Sequence, residues 1–111
     1  MKLPSEGYLL RIFIGETNRY EGKPLYEWIV LRARELNLAG ATVTRGIMGY
    51  GANSRIHTAK ILRLSEDMPI VIEIVNTEEN LRKLWPFLNR LIQKGLIIAE
   101  KVRVVRYRHS K

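Results

Sequence analysis

The sequence predicts an α+β sandwich of ferredoxin-like plan: a βαββαβ order, a four-stranded, mainly antiparallel sheet with two helices on one face, and a long loop between the halves. Two observations predict it. The chain reads twice as strand, helix, strand, and each helical segment carries one apolar stripe, so the two helices can cover only one face of a sheet. With 111 residues and 46% apolar composition there is material for one core, so residues 1–111 read as a single domain.

Residues 7–15 (GYLLRIFIG) are aliphatic and aromatic and bounded by glycines, which predicts the first strand. Pro24 suits the first turn of a helix whose Leu25, Trp28, Ile29, Ala33 and Leu36 recur on one face, and residues 37–40 supply its stop. Residues 41–48 return as a strand. The second half opens on the apolar strand Pro69–Asn76 (PIVIEIVN). Thr77, with Glu78 and Glu79, then caps a helix carrying Leu81, Leu84, Trp85, Leu88, Leu91 and Ile92. Pro86 lies inside that stripe and removes one backbone hydrogen bond, which predicts a kink; the alternative is a break into two short helices around residues 84–87. Lys94-Gly95 ends the helix, and residues 96–107 read as the last strand.

Strands as apolar as Val71-Ile72-Glu73-Ile74-Val75 leave side chains on the face that the helices do not cover. That predicts self-association into a closed ring of subunits, sheets facing the centre, with clefts between neighbours.

Composition excludes several classes. There is no cysteine, so disulfides, thiolate catalysis and Cys-containing zinc sites are out. No apolar stretch is long enough to span a bilayer and the first residues have no signal-peptide core, which predicts a cytoplasmic protein without membrane insertion. Nineteen Lys+Arg against eleven Asp+Glu give a net charge of +8, compatible with nucleic acid, an anionic membrane or a phosphate-bearing ligand. Much of the excess is carboxy-terminal, where Lys101, Arg103, Arg106, Arg108 and Lys111 oppose only Glu100. Lys101 and Arg103 read equally well as a solvated edge that discourages aggregation.

Two local patterns point to a phosphate-binding cleft. Gly49-Tyr50-Gly51 follows a strand and opens a long polar loop, and glycines let backbone amides approach a ligand closely. Arg106-x-Arg108 places two guanidinium groups on the same side of an extended chain. Each alone is an ordinary turn or a solvated pair; the pattern around them joins them. Val102 and Val104 share their parity with Arg106 and Arg108, so one strand face passes from apolar to cationic. Either a bulge shifts the register or the strand leaves its packed layer near Val105; the second, which delivers the arginines to an open cleft, is preferred. Residues 50–67 are too long for a hairpin turn and read as a protruding, variable arm.

The segment Gly40-Ala41-Thr42-Val43-Thr44, then Gly49-Tyr50-Gly51, the strand Val71–Val75 and the ending Val102-Arg103-Val104-Val105-Arg106-Tyr107-Arg108 together resemble the PII signal-transduction family, and its uncharacterised PII-like branch more than its nitrogen-regulatory members. The resemblance covers nearly the whole chain. It implies a homotrimer that binds an adenine nucleotide in the clefts between subunits and docks its long loop onto a target protein, such as a membrane transporter or channel. Carried over by position, Thr42 and Val75 would lie by the adenine or ribose. The backbone of Gly49 and Gly51 would flank the phosphates, Arg106 and Arg108 would bind phosphate charge, and Tyr50 would sit at the loop base.

The chain departs from the nitrogen-regulatory members in ways that bear on the ligand. One extra residue separates Thr44 from Gly49, and only Gln93-Lys94-Gly95 stands where those members carry a glycine- and lysine-rich phosphate loop. ADP or AMP therefore fits at least as well as ATP, and another anionic metabolite stays open. The long loop lacks the tyrosine those members modify, and no glutamine lies between Gly51 and Asp67 to support magnesium-dependent 2-oxoglutarate sensing. No metal is expected. An enzyme is not expected either: the two histidines, His57 and His109, have no carboxylate at a spacing suited to catalysis or metal binding. The alternative function is a basic nucleic-acid-binding ferredoxin-like module, although the central strands hold aliphatics where an RNA-recognition sheet needs stacking aromatics.

Overall fold

The computed structural model describes residues 6–49 and 68–107. Strand β1 (Glu6–Gly15) leads through a short hairpin, β2 (Arg19–Tyr20) and β3 (Lys23–Pro24), into helix α1 (Leu25–Glu35) and strand β4 (Thr42–Arg45). Strand β5 (Pro69–Asn76) is followed by helices α2 (Glu78–Arg82) and α3 (Trp85–Leu91) and strand β6 (Leu96–Arg103). The sheet order is β4-β5-β1-β6 with every neighbouring pair antiparallel, which is the ferredoxin-like arrangement expected from the sequence.

Period-two alternation decides which face is which. Leu10, Ile12 and Ile14 of β1 and Ile70, Ile72 and Ile74 of β5 are buried, and Leu25, Ile29 and Ala33 of α1 pack onto them at helical spacing. Leu81, Leu84, Leu88 and Leu91 complete the core. Each such aliphatic side chain contributes about 1.5–3 kcal/mol by leaving water. On the opposite, uncovered face stand Leu9, Arg11 and Phe13 of β1 and Val71, Glu73 and Val75 of β5, all half-buried, with Leu96 and Ile98 of β6 exposed.

Local chemistry sets the element ends. The β2–β3 hairpin turns on Glu21 and Gly22, both at positive φ (49° and 79°), the backbone a two-residue hairpin turn requires. Trp28 of α1 donates its indole N–H to the Tyr20 carbonyl at 2.6 Å, which ties this hairpin to the helix. Helix α1 ends in a Schellman motif: Asn37 has φ 60°, its N–H bonds to Arg34 O, and Leu38 N–H bonds to Ala33 O. Strand β4 is shorter than residues 41–48. Gly46 N–H still reaches Pro69 O at 2.7 Å, but Pro69 has no N–H to return and the ladder stops there.

The segment expected to kink at Pro86 divides into two short helices, the alternative reading of that segment, joined by Lys83 and Leu84, which keep right-handed helical backbone. A continuous helix would need an N–H at residue 86 for the carbonyl of Arg82, and the proline ring would press on that same carbonyl. Helix α2 therefore ends at Arg82, and Pro86 occupies the first turn of α3, where a missing N–H costs nothing. Thr77 caps α2 as expected, its hydroxyl accepting from Asn80 N–H at 3.1 Å. The fully buried Asn76 beneath it accepts from Thr77 N–H (2.8 Å) and from the Asn80 amide (2.9 Å).

Candidate functional site

The last strand does not run to residue 107. Strand β6 leaves the ladder after Arg103, and the following residues turn back across the sheet towards the β4 side, where the Tyr107 hydroxyl donates to the Ala39 carbonyl at 3.2 Å. A chain held there cannot also continue along the β6 edge. The strand thus emerges from its packed layer slightly before the point near Val105 that parity suggests. Val102 and Val104 stay half-buried while Val105 is 89% exposed.

This path makes a groove of about 720 Å³. One wall is the returning segment, residues 102–107; the other is the loop and strand start at residues 39–42; Leu9, Glu73 and Val75 of the uncovered sheet face form the floor. Of the residues singled out from the sequence, Thr42, Val75 and Arg106 come together here. Gly49 does not. It lies against Pro69, beyond the other end of the β4–β5 pair, about 13 Å along the strand from Glu73 at the usual rise per residue. Tyr50, Gly51 and Arg108, the long loop and both histidines lie outside the described residues.

Among the described residues, the charged members of the groove lining are Arg103, Arg106 and Glu73; Arg103, as register partner of Glu6, carries its side chain on the helix-covered side of the sheet, which leaves Arg106 as the cation beside the floor. Glu73 accepts from Arg11 Nε at 2.8 Å, and Arg11 also faces Glu100 at 3.6 Å, so the floor carboxylate is neutralised from beside the groove. The rest of the floor is apolar. An open slot with a largely apolar floor, a threonine and the Arg106 cation on its walls suits a flat heterocycle carrying anionic groups. Glu73, Arg103 and Tyr107 were not singled out as site residues from the sequence. Glu73 had one signal available, as the lone charge in an apolar strand; Arg103 borders the groove as the last ladder residue of β6, and Tyr107 enters only because the chain turns back. Among the described residues there is no cluster of His, Cys, Asp or Glu that would hold a metal ion, and no helix long and apolar enough to cross a membrane.

The family model DUF190, described as "Uncharacterized ACR, COG1993", matches residues 7–104. The chain belongs to the DUF190 family. A UPF0166 protein of Aquifex aeolicus is 42% identical over 99 residues, covering 87% of this chain and 91% of the relative. The UPF0166 protein MJ1524 of Methanocaldococcus jannaschii is 37% identical over 91 residues, covering 81% and 83%. Among solved structures, a putative PII-like signaling protein of Thermus thermophilus aligns with TM-score 0.64 at 19% identity, over 90% of each chain. CPII of Thiomonas intermedia, solved with ADP and bicarbonate, aligns with TM-score 0.61 at 18% identity, over 91% of this chain and 90% of that one. The resemblance to PII-like proteins that the sequence carries is therefore matched in the fold of this DUF190 chain.

Proposed function

We propose that this DUF190 protein is a PII-like regulator that takes an adenine nucleotide in the groove over Glu73 and Val75, and that three copies associate through their uncovered sheet faces so that each groove becomes a cleft between neighbours. The observation that carries the reading is the convergence of Thr42, Val75 and Arg106 on one groove from three distant parts of the chain. Its support from outside the chain is that CPII, of the same fold, has been solved with ADP and bicarbonate and with ADP, AMP and bicarbonate. In this reading Thr42 and Val75 hold the adenine or ribose, Arg106 and Arg108 bind phosphate oxygens, and Gly49, Tyr50 and Gly51 meet the ligand from the loop base. The loop then reports occupancy to a target protein, such as a transporter or channel, from the cytoplasmic side. In this reading the protein acts as a regulator rather than an enzyme; among the described residues the carboxylate lining the groove, Glu73, is paired with Arg11.

The nucleic-acid reading finds little in the sheet. Of the uncovered residues on β1 and β5, only Phe13 is aromatic; Tyr8 pairs on the helix-covered side.

Isothermal titration calorimetry with AMP, ADP and ATP, alongside light-scattering mass determination, tests the proposal. Saturable binding at one site per subunit of a trimer, abolished in Arg106→Ala/Arg108→Ala, is expected. Absence of binding by an intact trimer would remove the nucleotide, and sequence-tolerant, salt-sensitive RNA affinity would replace the reading with the alternative.

A further inference from the structure

The geometry points to Arg11 as a positioning residue that makes the groove receptive to anions by neutralising Glu73, a role that rests on the nucleotide reading above. Among the described residues Glu73 is the one carboxylate in the groove lining, and it stands on the floor two residues along β5 from Val75, the register partner of Leu9. A bare negative charge there would oppose a phosphate-bearing ligand, the more so once a neighbouring copy closes the groove. Arg11 is not part of the lining. It reaches Glu73 from the neighbouring strand, where the two residues are direct register partners, and places Nε 2.8 Å from the carboxylate. The Arg11 side chain is 29% exposed and that of Glu73 40%, so the pair is half-buried and solvent screens part of its attraction. Arg11 simultaneously faces Glu100 on its other side at 3.6 Å. Glu100 stands outside the groove lining, and this asymmetry makes the role separable from a general charge effect.

The test is a titration of full-length protein with ADP at fixed ionic strength, with thermal melts to confirm folding. Arg11→Met should weaken ADP binding roughly tenfold, the scale of one unpaired charge at near range in a partly shielded site. Adding Glu73→Gln should restore the affinity, whereas adding Glu100→Gln should not, although both double variants have the same net charge. Equal rescue by the two glutamines would reduce the effect to overall charge and overturn the inference; so would undiminished binding by Arg11→Met. Should Arg11→Met not fold, Glu73→Gln alone decides: it should bind ADP as tightly as the wild type or more tightly, because the floor then carries no carboxylate to oppose the ligand. Weakened binding would mean that Glu73 itself holds the ligand, and the inference would be wrong. Wild-type protein that takes up no ADP would defeat the nucleotide reading and this inference together, whereas ADP binding unaffected by Arg11→Met would defeat the inference alone.

Discussion

The Tyr107 hydroxyl donates to the Ala39 carbonyl at 3.2 Å across 68 positions of sequence, and this bond fastens the returning segment to the opposite side of the sheet. Removing it should loosen one wall of the groove and leave the core intact. We expect Tyr107→Phe to lose about 1 kcal/mol, the usual net worth of a partly buried hydrogen bond. The sharper readout is limited proteolysis: tryptic cleavage after Arg106 should quicken while β1 and β5 stay protected. An unaltered cleavage rate would show that other contacts of the segment, Val104 packing among them, hold the wall.

Gly95, between α3 and β6, is required by close approach. A Cβ there would stand 2.7 Å from the Phe13 carbonyl oxygen and 3.1 Å from Ile92 Cγ2. The nearest obstacle is backbone of the central strand, which cannot swing aside as a side chain end would. Gly95→Ala should therefore destabilise by about 1–3 kcal/mol, the range for overpacking a fixed site. Urea unfolding with an unchanged slope and a lower midpoint is the expected result; an unshifted midpoint would mean that the connection relaxes freely.

The break at Pro86 shows where sequence periodicity stops being informative. Leu81, Leu84, Leu88 and Leu91 are spaced three, four and three apart, the spacing of one unbroken helix, so the core-facing pattern is the same with or without a break. Pro86→Ala restores an N–H for the Arg82 carbonyl and should let α2 and α3 merge with the same leucines inward. The expectation is a gain in helical circular dichroism with unchanged or slightly raised stability. Helicity equal to the wild type would place the cause in the packing of Leu84 rather than in the proline.

The same distinction separates what the chain states plainly from what it does not. Strands β1 and β5 and helix α1 are legible because their periods, two and 3.6, run unbroken beside clear stops such as Asn37. The end of β6 is not legible: Val102 and Val104 keep strand alternation past the last ladder pair, Glu6 with Arg103, and alternation says nothing about where a neighbour is left behind. The site follows suit. Thr42, Val75 and Arg106 were visible as residue types in recognisable strands, whereas Tyr107 joins the groove only through a long-range turn of the chain, Arg103 through the end of the β6 ladder, and Glu73 through its place beneath it.

The uncovered sheet face gives the test of assembly. Leu96 is 56% exposed beside Phe13, its register partner on β1, and Ile98 stands next to Arg11. In an isolated subunit Leu96→Glu replaces an exposed side chain, so the fold should lose no more than about 0.5 kcal/mol. In an assembly built on this face the same substitution would bury an unpaired carboxylate against Phe13, three times in a trimer, a cost large enough to dissociate it. Light scattering should then report a trimer for the wild type and a folded monomer for Leu96→Glu. A variant that remains trimeric would show that the subunits meet elsewhere, and the clefts would have to be sought at that other boundary.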